Sequence, residues 1–386
     1  MNQFEVIIVG GGMVGAAAAL GLARQGHQVA LIERQPPEPF EPSQPMDLRV
    51  SAISQASVSL LKDLGAWASV EAMRVCPYRR LETWEAEDSR VCFSADQLDL
   101  PQLGYMVENR LIQLGLWQQF ARFDNLYLVS PASITRMTQA GDLHQVQLES
   151  GDTLSAPWLI GADGAHSKVR DYAQIGLTSW DYRQHCMLIH VETAAPQQDI
   201  TWQQFFPTGP RSLLPLCGHN ASLVWYDSPA RIQQLCQLNA EQLKAEIVSH
   251  FPPEVGDVTP INWGAFPLTR RHAQQYHRNG VVVIGDAAHT INPLAGQGVN
   301  LGFKDVAALL DACADAGAQW QAASTLKAYE KARRTDNMMM QTGMDVFYTA
   351  FSNQFTPLKL ARNAVFKLAE HSGPVKTQVL KYALGL

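Results

Sequence analysis

The sequence predicts an α/β fold: a parallel-stranded domain into which a mostly antiparallel sheet is inserted, followed by a helical C-terminus. Three observations predict it. Phe4 to Val9 is an apolar run of strand length, Met13 to Gln25 is Ala- and Leu-rich and of helix length, and Gln28 to Glu33 is a second apolar run. Strand, helix and strand in that order make a βαβ unit. From about Met187 to Pro267, short aromatic-rich runs alternate with turn residues, at Thr201 to Phe206, Ser212 to Leu216 and Ser222 to Tyr226. That is the pattern of antiparallel strands with one face free to wall a pocket. After Val281 to Ile284, one more buried strand, the chain reads mostly as helix.

The intervening elements follow from the same reasoning. Pro36 to Pro45 is proline-rich and must be loop, Ser54 to Leu64 and Met106 to Phe120 have helical spacing, and Ala240 to His250 is a helix interrupting the antiparallel region. Leu126 to Val129, Gln145 to Leu148 and Trp158 to Ile160 are short strands that return the chain to the first lobe. The expected division is a discontinuous nucleotide-binding domain over 1–75, 100–185 and 268–335, a substrate domain over 76–99 and 186–267, and a C-terminal helical region over 336–386.

Composition narrows the function classes. At 386 residues the chain is too long for one small core, so two intertwined lobes are expected. A formal net charge of -6 with 46% hydrophobic and 17% charged residues, and no basic block, argues against nucleic acid as a partner. Cys76, Cys92, Cys186, Cys217, Cys236 and Cys313 form no C-x-x-C pair and have no histidine at ligand spacing, so no metal is expected and a reduced, cytoplasmic compartment fits. Val6 to Ala23 carries no charge over 18 residues, about the length of a membrane span. Glu5 precedes it instead of a basic flank, and Gly10, Gly11, Gly12 and Gly15 break it, so strand, turn and buried helix explain it better.

Two motifs carry chemistry. Gly10-x-Gly12-x-x-Gly15 lies between the first strand and helix, and Glu33 ends the next strand, 18 residues beyond Gly15. Such glycines let the backbone approach a pyrophosphate at a helix N-terminus, and the acid accepts hydrogen bonds from ribose hydroxyls. The second motif is Gly285-Asp286-Ala287-Ala288-His289, followed by Pro293-Leu294-Ala295-Gly296-Gln297-Gly298-Val299-Asn300. An aspartate at the end of a buried strand suits a polyol, and a glycine turn opening a helix presents free amides to negative charge. For Asp286 the alternative is an ordinary helix cap. His289 reads as a structural hydrogen-bonding residue more readily than as an acid or base.

Together with Gly161-Ala162-Asp163-Gly164 and the following Ala165 to Arg170, these motifs, in this order, resemble the single-component flavoprotein aromatic hydroxylases, the group that includes para-hydroxybenzoate hydroxylase. The resemblance covers nearly the whole chain. It implies a Rossmann-like FAD-binding domain in which Gly10, Gly12, Gly15 and Glu33 hold the ADP half of FAD and Asp286 the ribityl chain. Pro293, Gly296, Gln297 and Gly298 form a flavin-edge loop, with Val299 and Asn300 beside it. It further implies that Asp163 sits where flavin and nicotinamide sites meet, that Arg49 lies near the pyrophosphate, its forked donors suiting phosphate, and that Asn109 is a cofactor-side polar residue. Finer similarity, in Val50 to Lys62, Pro77 to Glu85, Gly104 to Asn109, Ser222 to Ile232, Gly264 to Ala273 and Lys381 to Leu386, is to the bacterial ubiquinone-biosynthesis hydroxylases, and within them to the group acting on demethoxyubiquinol.

That resemblance implies FAD as cofactor, NADH or NADPH as co-substrate, O2, and a polyprenyl benzoquinol hydroxylated through a flavin C4a-hydroperoxide, without an acid–base triad. Trp202, Phe205 and Trp225, with Phe206 and Tyr226, are candidates for the pocket wall, although aromatics in strands also serve as plain core. Met344, Phe347, Tyr348 and Phe351 make one apolar helical stripe, and from Leu358 onward five basic residues face one acid, Glu370. This end either meets a membrane surface or another ubiquinone-biosynthesis protein, or packs on its own core. Two other functions stay open: a paralogous hydroxylase acting at another ring carbon, and a non-catalytic FAD-fold scaffold. A flavin-dependent reductase or halogenase is a further rival, and the W-x-W-x-I-P signature of halogenases is absent.

Overall fold

A computed structural model describes residues 2–291, 298–353, 355–370, 372–373, 376–378 and 380–381, without the side chains of residues 2 and 347. A six-stranded sheet runs in the order His277–Arg278, Val281–Val283, Trp158–Gly161, Val6–Val9, Val29–Ile32 and Leu126–Val129, parallel throughout except at the first pair. Val6–Val9 and its neighbours are buried on both faces, so they read as unbroken apolar runs instead of alternating ones. The first helix, Met13–Arg24, is built for close approach: Ala16 to Ala19 have no exposed surface, and a Cβ at Gly21 would sit 2.3 Å from Leu310 of the helix Gly298–Ala316.

The register positions the site. Gly161 pairs with Val9 on one side and Val283 on the other, and Val9 pairs with Ile32. Four strands therefore end level, and the turns that follow them, at Gly10, Ala162 and Gly285, leave from one edge. Ligands of parallel α/β sheets bind at this carboxyl edge.

An eight-stranded sheet runs His289–Thr290, Val258–Ala273, Leu177–Thr193, Asn220–Asp227, Arg211–Leu216, Ile200–Gln204, Arg80–Trp84, Val91–Ser94, antiparallel except for the pair Ile200–Gln204 with Arg80–Trp84. Leu177–Thr193 and Val258–Ala273, of 17 and 16 residues, are each a single strand that crosses the expected limits at 185/186 and 267/268. Two long shared strands, not flexible linkers, join the lobes. Two smaller sheets complete the fold: Asn2–Gln3 with Thr153–Ala156, Leu143–Leu148 and Ile134–Ala140, and Val50–Ser54 with Gly104–Glu108 and Cys76–Tyr78.

One helix is shorter than the sequence predicts. Met106 to Glu108 is strand, and helix begins at Asn109 and ends at Trp117. Pairing with Val50, Ser51 and Ala52 along all three residues, and with Cys76 at Met106, holds that backbone as strand, a tertiary demand that local propensity does not report. The C-terminal region is helical over Gly298–Ala316, Ala323–Phe351 and Thr356–Glu370. The apolar stripe meets the protein's own core: Phe351 stacks on Phe205 at 4.2 Å, and the Tyr348 hydroxyl donates to the Tyr182 carbonyl at 2.9 Å. Phe347's side chain lies outside the described residues. Among the described residues no helix is long and apolar enough to cross a membrane, and no group of His, Cys, Asp and Glu could hold a metal ion. All six cysteines are free.

Candidate active site

Two kinds of glycine build the first turn. Gly10 has φ 102°, and a Cβ there would lie 2.4 Å from the Ala162 carbonyl oxygen; at Gly15 it would lie 1.8 Å from the Gly10 oxygen. Both are required by the packing of turn against sheet. Gly12 is different: its φ of -65° suits any residue, and a Cβ there would meet nothing within 4 Å. The protein has no packing reason for a glycine at 12, so the space beside it is kept for something else. Glu33 stands at the end of its strand, accepting from the Gly11 amide at 2.6 Å and the Gln35 amide at 2.8 Å. A carboxylate has further lone pairs for ribose hydroxyls.

The second turn is held from behind. Asp305, with no exposed surface, accepts hydrogen bonds from the Gly285 amide at 3.0 Å, His289 Nε2 at 2.5 Å, Arg333 Nε at 2.9 Å and Asn337 Nδ2 at 3.0 Å. Burial alone would raise its pKa; the His289 charge and hydrogen bond and the Arg333 charge reverse this and keep it below the usual carboxylate range. His289 is thus a structural member of a buried network. Asp286, next to Gly285, borders the cavity. Burial raises its pKa, opposed by His289, Arg49 and Arg271.

Beside this network lies His272, whose strand pairs with His289–Thr290. Burial, reinforced by the charges of His289, Arg334 and Arg270, lowers its pKa to about 4 from the ordinary 6.5. The folded state therefore holds His272 neutral while the unfolded chain binds a proton below about pH 6.5. Its contribution to stability is complete above that value and declines as pH falls from 6.5 toward 4. Chemical denaturation across this range is expected to show that decline, and His272→Gln to flatten it. Equal pH slopes for both proteins would count against the assignment.

Both turns open on one cavity of about 590 Å³, within the usual range of ligand sites. One side is formed by Gly12, Met13, Arg49, Asn109, Gly164, Gly285, Asp286, Gly298, Val299 and Asn300. The other is one face of the eight-stranded sheet. Successive strand residues point to opposite faces, and on three strands alternate positions line the cavity: Cys186 and Leu188, Ser212 and Leu214, Val224 and Tyr226; on a fourth, the consecutive Phe266, Pro267, Leu268 and Thr269 line it. Met187, Leu213 and Trp225 between them, and Leu223 just before Val224, pack in a separate core with Ile232 and Leu235 of the helix Pro229–Cys236 and with Leu243 and Ile247 of the helix Ala240–His250. Burial pushes the Cys186 thiol and the Tyr226 phenol well above their ordinary pKa values, so neither is an ionised nucleophile near neutral pH.

The alternation corrects two of the expected wall residues. Trp225 faces away from the cavity, and Phe205, one residue past its strand, stacks on Phe351 and packs near Phe366. Trp202 borders the cavity, yet its ring packs with Trp84 and Phe251 behind the sheet; Thr201 and Gln203 flank it on the wall. Tyr226 is on the wall. Selecting by size led to the packed face; selecting every second residue from Tyr226 would have found Val224.

The cofactor-side residues also sort by geometry. Arg49 is exposed to the cavity, its guanidinium 4.7 Å from the Phe266 ring centre. Asn109 lines the cavity and accepts from the Ser51 hydroxyl at 2.7 Å. Asn300 is buried as a clamp: its Oδ1 accepts from the Ser54 amide at 3.0 Å and the Ser57 hydroxyl at 2.7 Å, and its Nδ2 donates to the Ala52 carbonyl at 2.8 Å. Asp163 does not line the cavity; it accepts from the Lys168 amide at 2.7 Å and the Val169 amide at 3.3 Å at the start of the helix Lys168–Tyr172, whose N-cap is Ser167. Pro293, Gly296 and Gln297 lie outside the described residues.

A level edge of parallel strands, a glycine turn with room for a phosphate and a chamber closed by a second sheet define an FAD-dependent monooxygenase architecture of the para-hydroxybenzoate hydroxylase type. The family profile described as "FAD binding domain" matches residues 3–342. The 3-demethoxyubiquinol 3-hydroxylase of Escherichia coli (strain K12) is 54% identical over 385 residues, covering 99% of this chain and 98% of that protein. The mitochondrial ubiquinone biosynthesis monooxygenase COQ6 of Danio rerio is 32% identical over 433 residues, covering 98% and 89%. The chain belongs to the FAD-binding domain family and, within it, to the ubiquinone-biosynthesis hydroxylases. The crystal structure of p-nitrophenol 4-monooxygenase from Pseudomonas putida DLL-E4 superposes with a TM-score of 0.80 at 17% identity, covering 100% of this chain and 99% of that one, a likeness of fold.

Proposed function

We propose that this chain is a 3-demethoxyubiquinol 3-hydroxylase: with FAD, NADH or NADPH and O2, it converts one ring C–H of a polyprenyl benzoquinol to C–OH, releasing water and oxidised nicotinamide. The observation that carries the reading is the shared cavity, which has the Gly12 and Asp286 turns on one side and an apolar sheet face on the other. The near full-length identity to the E. coli enzyme supports the choice of ring.

The residues fit the cofactor. The gap at Gly12 and the amides opening the first helix receive the pyrophosphate, Glu33 the adenosine ribose, and Asp286 the ribityl hydroxyls. Arg49 and Asn109 supply polar contacts beside it, and the start of the helix Gly298–Ala316 places positive dipole potential where negative charge develops. FAD, when bound, supplies the oxygen-activating and hydride-accepting chemistry. The chain orients the ring, and the Leu188, Leu214, Val224 and Leu268 wall excludes water.

Mass spectrometry of the product after incubation with a demethoxyubiquinol under labelled O2 tests the reading: one labelled oxygen in the ring is expected, and an unlabelled product sinks it. The wall has its own signature. Val224→Phe fills part of the chamber, and overpacking of roughly 1–3 kcal/mol translates into a KM for quinol raised by about tenfold. FAD content should stay native and nicotinamide oxidation should continue uncoupled from hydroxylation; an unchanged KM would place the ring elsewhere.

A further inference from the structure

One line of the sheet face that walls the chamber is polar. Thr83, Gln203 and Ser212 lie side by side on three neighbouring strands, Gln203 pairing in register with Thr83 on one side and Ser212 on the other. All three line the cavity. The same row continues as Val224 and Leu188, and two residues along the outer strands the wall carries Leu81 and Leu214. Within the row the hydrogen bonding is incomplete. The Ser212 hydroxyl donates to Gln203 Oε1 at 3.2 Å, which fixes the amide and leaves its Nε2 as a donor without a partner among the described residues. Thr83 Oγ1 is buried and likewise has no partner among them. Neighbouring polar groups on the wall are already committed: the Thr201 hydroxyl donates to the Leu213 carbonyl at 2.8 Å, and Tyr226 and Cys186, paired across their strands, engage each other.

We propose that this row recognises the substrate ring: Gln203, anchored by Ser212, donates through Nε2 to one ring oxygen of the quinol, and the hydroxyl at that oxygen donates to Thr83 Oγ1. Resting on the quinol reading, this assigns the residues that decide which ring carbon is presented for hydroxylation. An amide with a purely structural role would spend both of its ends inside the protein, whereas this one spends only the end that Ser212 holds. A quinol hydroxyl is donor and acceptor at once, so it satisfies the free amide and the orphaned threonine together. Val224 and Leu188, on the same row, meet the carbon skeleton beside that oxygen. A few placed polar groups in an apolar pocket set a ligand's orientation in this way, and a site built to bond a hydroxyl discriminates against the analogue that lacks it.

The test uses the full-length, FAD-loaded protein without nicotinamide, and reads dissociation constants from the change in flavin absorbance. The ligands are a short-chain, water-soluble demethoxyubiquinol and two analogues, each lacking one of its two ring hydroxyls. Wild type is expected to bind one analogue about tenfold more weakly than the parent, the worth of one hydrogen bond. Gln203→Leu should bind the parent about tenfold more weakly and no longer distinguish it from that analogue, with native FAD content. Ser212→Ala, which frees the amide, should lose affinity and preference in the same direction but by less, and it carries the test if the leucine variant does not fold. In turnover, Gln203→Leu should raise KM and divert nicotinamide oxidation from hydroxylated product to peroxide. A wild type indifferent to both missing hydroxyls, variants that keep the wild-type preference, or an equal loss for all three ligands, as a mere change of shape gives, would overturn the assignment. Wild type that hydroxylates the quinol while the variants keep its preference overturns this inference alone; wild type that neither binds nor hydroxylates it overturns the proposed function as well.

Discussion

Gly12→Val is expected to give a folded, colourless protein. A valine side chain fits the backbone at 12 and touches no protein atom at its Cβ, so folding should proceed. The same methyl groups enter the space that opens on the first helix N-terminus and on the cavity, where the pyrophosphate needs the backbone amides at van der Waals distance. FAD affinity should fall by about a hundredfold, about 2.7 kcal/mol, measured by flavin fluorescence on refilling the apoprotein. Gly15→Val, which drives a side chain into the Gly10 carbonyl, should instead impair folding itself. Two neighbouring glycines thus separate the cofactor from the scaffold, and near-native flavin affinity in Gly12→Val would refute the cofactor placement.

Asp305→Ala is expected to cost about 3 kcal/mol, the lower end of the range for stranding one partner of a buried ion pair. The lower end applies because Arg333 keeps a second carboxylate, Asp336 at 2.6 Å. At roughly 2 cal/mol/K of unfolding entropy per residue, the melting temperature should drop by about 4 °C. The functional consequence comes through Gly285, whose amide Asp305 holds: the turn that presents Asp286 loosens, and flavin affinity falls with stability. Asp305→Asn keeps a hydrogen-bonding side chain and should lose less of both. Calorimetry and flavin titration of the two variants check this, and an Ala variant with unchanged melting temperature would show that the network is not under tension from a buried charge.

How legible the molecule was depended on the range of the forces involved. The βαβ unit and its turn could be read because their determinants are local: a strand buried on both faces is apolar throughout, and the close approach of the turn to the sheet excludes side chains at Gly10 and Gly15. Met106 to Glu108 misled because its strand pairing comes from Val50–Ser54 and Cys76–Tyr78, far away in the chain. Trp225 and Phe205 misled because size was taken as the sign of a pocket, whereas large rings lower the free energy most in a dry core. Asn300 sits within a motif, but its amide is spent on Ser54, Ser57 and Ala52, partners more than two hundred residues earlier.

The sequence by itself determined the βαβ core, the glycine turn after its first strand and the family, since these rest on residue types at fixed short spacings. Tertiary structure alone decided which sheet face walls the chamber and that two long strands couple the lobes. Those outcomes depend on which distant partner each face meets: a strand or helix offers two sides, and only the packed chain selects between them.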